Sequence, residues 1–189
     1  RFTPTISGDL TVVGSSLKDP GGTSQDGHMI STRLGRNGRS LGWSLNAYEI
    51  SPEFDPDVGF VRRRDQRQAG TNVSYRFWPQ SWIISWGPQV SYMRVYDFDD
   101  VLQDETLGLR LNFSFARSIS LNGGYDIDME RWQGVEYDKR GFSFGGRVNT
   151  NRRYEFGGNF SMGDEVYYAG PYLARQVGWG VNGTPGQHF

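Results

Sequence analysis

Alternation with a period of two is the feature that most constrains this chain. From Leu107 to Phe115, Leu107, Leu109, Leu111, Phe113 and Phe115 share one parity, and Gly108, Arg110, Asn112 and Ser114 share the other. Successive side chains of a strand point to opposite faces, so this is a β-strand with one apolar and one polar face. The same two-faced pattern recurs in Ala69–Phe77, Trp82–Tyr92, Ile119–Met129, Phe142–Asn149, Tyr154–Met162 and Tyr172–Val181. It is weaker in Phe2–Val12 and Leu41–Ala47, and weakest from His28 to Arg36. About ten strands are expected, and no segment carries a helical period.

The connections are expected to alternate. Asn37–Arg39, Pro79–Ser81, Arg117–Ser118 and Asn151–Arg152 read as short turns, whereas 15–27, 51–67, 95–105, 131–139 and 163–170 read as long polar loops. Outer-membrane barrels have short periplasmic turns and longer extracellular loops. Aromatics gather at strand ends, Phe77, Trp78 and Trp82 at one turn and Tyr92, Tyr96 and Phe98 below one loop, as interfacial girdles require. Mean hydropathy is −0.61, which does not count against a membrane barrel, because only alternate residues of its strands meet lipid. No run reaches the roughly 18–20 apolar residues of a membrane helix.

These readings lead to an all-β fold: an antiparallel up-and-down transmembrane β-barrel forming one domain over residues 1–189, or a piece of a larger barrel. The expected location is the bacterial outer membrane, with its lipid and lipopolysaccharide as surroundings. The sequence starts at Arg1 with no leader-like stretch, which reads as a mature chain or a fragment. The competing reading is a soluble β-barrel or double sheet with its faces reversed. The polar faces tell against it, since Ser, Asn, Gly and Arg solubilise less well than Lys and Glu.

Charge and cysteine content narrow the partners. Net charge is −1, and of the 20 cationic residues only Lys18 and Lys139 are lysine, with no basic block; no nucleic-acid partner is expected. With no cysteine there is neither a disulfide framework nor a thiolate metal site.

Several constellations are candidate sites. Arg33, Arg76, Arg110 and Arg147 fall on polar faces, as do Asp126, Asp128 and Glu130. In a barrel they would be lumen charges, paired across a narrow interior or forming a charged constriction. Asp97, Asp99, Asp100 and Asp104 share one loop and are candidate oxygen ligands for Ca²⁺, although their spacing matches no calcium loop and a solvated acidic loop is the favoured reading; no other cofactor is expected. Phe54, Asp57, Gly59, Phe60, Arg62 and Arg63, followed by Arg64, form a loop that either packs on the barrel rim or binds an anionic glycan or lipopolysaccharide phosphate. Of the two histidines, His28 lies near Asp26 and His188 near the end, with no partner set for a hydrolase in view. The pairs Gly123-Gly124, Gly145-Gly146 and Gly157-Gly158 lie within strands and read as bulges, bends or close packing rather than phosphate loops.

The stretch Ile50-Ser-Pro-Glu-Phe-Asp-Pro-Asp-Val-Gly-Phe-Val-Arg-Arg-Arg-Asp-Gln-Arg67 resembles a motif of an uncharacterised bacterial family. In that family an outer-membrane β-barrel follows a domain similar to carbohydrate-binding family 9. Phe54, Pro56, Asp57, Val58, Gly59, Phe60, Arg63 and Asp65 fit the motif, and Asn46–Tyr48 and Tyr75–Pro79 fit its flanks. The resemblance covers roughly residues 40–80 and is general elsewhere. It implies an outer-membrane barrel associated with glycan handling, in a family whose activity is not established. Two departures, the absence of the carbohydrate-binding-like domain from this sequence and the greater length of the family's barrels, lead to the expectation of a piece of a larger barrel. The expected function is a non-enzymatic anchor or narrow passage associated with surface glycan or polymer handling, with glycan or other outer-membrane proteins as partners. The alternative is a structural or interaction subunit of a cell-surface assembly, and a barrel hydrolase comes third.

Overall fold

A computed structural model of the chain describes residues 5–18, 24–55, 64–150, 154–170 and 172–185. The order is β1 (Thr5–Lys18), β2 (Ser24–Asn37), β3 (Leu41–Ile50), β4 (Gln66–Tyr75), β5 (Ile83–Tyr96), β6 (Leu102–Phe115), β7 (Ile119–Trp132), β8 (Val135–Thr150), β9 (Tyr154–Tyr167) and β10 (Tyr172–Pro185). A single 3₁₀ turn, Ala116–Ser118, separates β6 from β7. All ten strands form one sheet in sequence order, each antiparallel to the next. Among the described residues no ladder joins β1 to β10, so these two are the edges. Apart from the stretch 51–65 between β3 and β4 the connections are short, which favours pairing of each strand with the preceding one and so the up-and-down order.

The register keeps each face consistent across the sheet. On β5, β6 and β7, Val90, Leu109 and Tyr125 are successive partners on the apolar face. Gln89, Arg110 and Gly124 are partners on the polar one. Register breaks between β5 and β6 fall only at Ile83/Ser85 and Val95/Tyr96. The glycine pairs at 123–124, 145–146 and 157–158 therefore sit in unbroken ladders. Of the bulge, bend and close-packing readings, close packing is the one these glycines provide. A β-carbon on Gly146, for example, would lie 2.8 Å from the Leu121 side chain.

The long polar loops are the main correction. β1 runs to Lys18 and β2 starts at Ser24, β5 runs to Tyr96 and β6 starts at Leu102, and β9 runs to Tyr167. The supposed loop 131–139 is the end of β7, the start of β8 and a two-residue turn, Gln133-Gly134. Their φ values of 51° and 79° are both positive, as a type I′ hairpin turn requires. The regular alternation of short and long connections is thus absent. What differs between the two ends is the strands, which run past the apolar stretch into polar sequence.

The sheet has almost no core. Among the described residues the buried apolar side chains are Ile50, Phe54, Val95, Tyr137 and Val166, all toward the end opposite the 116–118 turn. Along the strands Leu109, Val90, Phe144, Phe160 and Trp179 are exposed. The accessible surface is 13616 Å², whereas a compact protein of this mass exposes roughly 9100 Å². The polar face carries hollows of about 190, 530 and 350 Å³ among its Ser, Asn and Gly residues, and a further one of about 370 Å³ lies on the apolar face beside Ile30, Ala47, Arg67 and Tyr96.

Candidate functional site

Two surfaces carry the chemistry: the hollowed polar face, and the rim where the strands outrun the apolar stretch. On the polar face Arg110 Nη1 lies 2.7 Å from Asp126 Oδ1 and its Nη2 donates to Oδ2 at 2.9 Å. The guanidinium reaches its partner by lying over Gly124, whose β-carbon would come 2.7 Å from Arg110 Cδ. Lys139 meets Glu130 at 2.6 Å, and Arg147 meets Glu155 at 3.1 Å. Asp128 stands opposite Lys139 in the ladder, and Arg33 opposite Asp9. Arg76 follows the end of β4 and stacks on the Trp78 ring at 5.6 Å, beside Arg39 at 5.3 Å. It belongs to the turn end and not to the paired charges of the sheet.

At the rim the apolar face changes character. Past Tyr92, Leu107, Ile127 and Met162 come cross-strand pairs of opposite charge: Arg94–Glu105 at 2.9 Å, Arg131–Glu136, and Arg175–Asp164 at 3.3 Å. Arg67–Asp100 at 2.6 Å and His28–Glu49 at 2.7 Å continue the collar. Each such exposed pair contributes little stability, but together they end the apolar band along one line. At the other end Tyr75, Phe77, Trp86 and Phe113 form a run of ring contacts, with centroids 4.7, 4.4 and 6.1 Å apart. Trp82 stacks on Phe115 at 5.1 Å beside it.

The remaining candidates are disposed differently from their sequence readings. Asp97 holds its own loop: Oδ1 accepts from the amides of Asp99 and Val101, and Oδ2 accepts from Gln103. With Asp100 on Arg67, the carboxylates do not converge, and no cluster of three or more acid or imidazole groups able to hold a metal occurs among the described residues. His28 has Glu49 on its imidazole, and the buried Ser51 Oγ accepts from the His28 amide, so the serine hydroxyl is not activated by the ring. Asp26 accepts from Ser24 instead.

In the motif loop, Asp57, Gly59, Phe60, Arg62 and Arg63 lie outside the described residues. Phe54 is buried, only 2% exposed. Its backbone rests directly on Gly27, where a β-carbon would come 2.3 Å from Phe54 Cα. Arg64 bonds to Asp55 at 2.5 Å, and the Asp55 amide donates to Ser15.

Tyr168, in the β9–β10 turn, donates to Glu130 at 2.8 Å and packs edge-on against Trp132. That hydrogen bond to a carboxylate, aided by burial, raises its phenol pKa. The sequence reading missed Lys139, Glu155 and Tyr168. Extending the alternation of β8 back from Ser143 would have placed Lys139 on the polar face.

Comparison with protein-family models, curated proteins and solved structures finds no match. The chemistry of the two faces therefore carries the functional reading.

Proposed function

We propose that this chain is a non-enzymatic outer-membrane β-barrel, or a large section of one, whose polar face lines a narrow passage. The observation that carries the reading is the exposed apolar face of a sheet without a core. Left in water, such a face would drive aggregation; against lipid it is solvated, and the polar face turns inward. The apolar residues of β6 from Leu107 to Phe115 cover about 27 Å along the strand, or about 20 Å of height at a tilt of about 40°. With the rings of Trp82 and Trp86 at one limit and the charged collar at the other, the band fits the roughly 25 Å of an outer-membrane barrel.

Lipid also dictates what happens at the edges. An unpaired N–H or C=O in hydrocarbon costs several kcal/mol, so β1 and β10, each 14 residues long, must be paired on both sides. We infer that further antiparallel strands join these edges, making the complete barrel larger than ten strands. The likeness of 50–67 to barrels that follow a carbohydrate-binding-like domain supports this reading and is the ground for linking the barrel to surface glycan. The paired charges of the polar face suit a lumen better than a catalytic centre, because both signs are mutually satisfied.

The test is extraction and mobility of the full-length protein. A barrel requires detergent for release from membranes and migrates differently on gels before and after boiling. Release by salt or alkali, with no heat-dependent shift, would overturn the reading.

A further inference from the structure

One row of the polar face runs square across β5 to β10 and carries no charge. Its successive partners are Gly87, Asn112, Asn122, Gly145, Asn159 and Gly180. The asparagines lie down over the glycines. A β-carbon on Gly145 would sit 3.0 Å from Asn122 Oδ1, and one on Gly180 would sit 2.8 Å from Asn159 Oδ1. The same device recurs with Asn182 over Gly157 at 2.6 Å and Asn46 over Gly70 at 3.0 Å. Serines repeat it, with Ser91 Oγ over Gly108 at 2.5 Å and Ser161 Oγ over Gly178 at 3.0 Å. Any other residue at the glycine positions would lift the amides away from the sheet.

Among the described residues, the side-chain amides of Asn112, Asn122, Asn159 and Asn182 have no hydrogen-bond partner within the chain. Asn122, Asn159 and Asn182 therefore each offer a donor and an acceptor to whatever occupies the hollow of about 530 Å³ that they line, and Asn112 does so in the separate hollow of about 190 Å³. Asn122 and Asn159 lie two strands apart, about 10 Å at a strand spacing of about 4.8 Å. Arg147, which also lines this hollow, is paired with Glu155, and Arg110 is held by Asp126. A neutral layer of paired donors and acceptors complements vicinal hydroxyl groups, which donate and accept from adjacent oxygens. It offers an ion no countercharge. The flattened side chains also keep the hollow open where upright ones would fill it.

We propose that this row is a contact site for uncharged polyhydroxylated solutes, polyols and saccharides, within the passage. The inference rests on the barrel reading and adds the class of solute and the residues that touch it.

The test uses the full-length protein in planar bilayers, with glucose, sucrose and raffinose as probes of current block and proteoliposome swelling as a parallel readout. Asn122→Leu and Asn159→Leu are expected to raise the half-blocking sugar concentration about fivefold each, the loss of one net hydrogen bond. Asn122→Asp keeps the shape, so it serves if the leucine variants fail to give a heat-dependent mobility shift; it should weaken block and raise cation selectivity. Sugar block that is absent in the wild type, or unchanged in variants that insert, overturns this inference and leaves the barrel standing. Failure of the wild type to insert or to shift on boiling overturns the barrel reading, and this inference with it.

Discussion

Arg110 and Asp126 face each other across β6 and β7 through two parallel contacts, Nη1 to Oδ1 at 2.7 Å and Nη2 to Oδ2 at 2.9 Å. The bidentate geometry fixes the guanidinium flat against Gly124. Both side chains remain partly exposed, 38% and 27%, so solvent screens the pair and its removal costs at most about 1 kcal/mol. Its larger effect is on local charge. Arg110→Ala leaves Asp126 uncompensated in the lumen of the proposed barrel, and the cation-to-anion permeability ratio should rise. Arg110→Ala with Asp126→Ala should bring it back. Reversal potentials under a salt gradient read this directly, and equal ratios in all three proteins would remove the pair from the conducting path.

The assignment of faces has its own measurement. Leu109 and Asn112 lie on adjacent turns of the same alternation but on opposite faces of β6. An arginine at mid-band on the lipid side costs about 2–4 kcal/mol, while a lumen position tolerates it. Leu109→Arg should therefore lower the unfolding free energy in lipid vesicles by about that amount, and Asn112→Arg by less than about 1 kcal/mol. The reverse order would mean that the polar face meets solvent outside and the apolar face meets a protein partner.

Much of the architecture was legible in the sequence, and the part that was not has one cause. Alternation reports the faces only where one of them is apolar. Leu107 to Phe115 was read correctly because one of its two faces is apolar throughout. The stretch 131–139 was read as loop because Arg131, Glu136 and Asp138 occupy the apolar-face parity of β7 and β8 beyond the band. The ladder continues there with charged residues on both faces, and the period disappears while the strand does not. The polar-face charges Arg110 and Asp126 were legible by parity alone. Their pairing depends on cross-strand register, and so does the seating of asparagines on glycines.

The Gln133-Gly134 turn tests that corrected connection. Both residues hold positive φ, which glycine adopts freely and β-branched residues resist. Gly134→Val should destabilise the β7–β8 hairpin by about 1 kcal/mol or more, and Gln133→Asn should stabilise it by a few tenths, since Asn-Gly is the preferred pair for this turn. Denaturant midpoints in vesicles or detergent check both. A flexible loop spanning 131–139 would show neither change.

Tyr168 gives a pH-dependent signature outside the band. Its neutral phenol donates to Glu130, and that hydrogen bond raises its pKa. The stabilisation is fully present below the pKa of a free tyrosine, about 10, and is lost as pH rises through the higher folded value. Tyr168→Phe should remove that alkaline fall. In a difference titration of phenolate absorbance, the phenol lost in the variant should be one that ionises above the free-tyrosine range; loss of an ordinary one would break the link to Glu130.

The edges decide the size of the proposed barrel. β1 presents Ile6, Leu10 and Val12 on its apolar face and β10 presents Val177, Trp179 and Val181, all exposed, with Trp179 and Val181 at 79%. The apolar alternation thus continues to both edges, interrupted on the polar face of β1 only by Asp9, which Arg33 opposes, while β10 reaches a proline only at its last residue, Pro185. Ten strands are even in number, so β1 and β10 run antiparallel and are stereochemically able to pair. Yet among the described residues no ladder joins them, and this favours intervening strands. Cysteines placed in turn at Ser7, Thr11 and Ser15 of β1 against Ala174, Gly178 and Asn182 of β10 sample the polar-face positions of both edges. The full-length protein in membranes should give no intramolecular disulfide from any combination, because one extra strand alone separates the edges by about 10 Å, beyond the reach of a disulfide. A high-yield cross-link from any pair would show the ten strands closing on themselves.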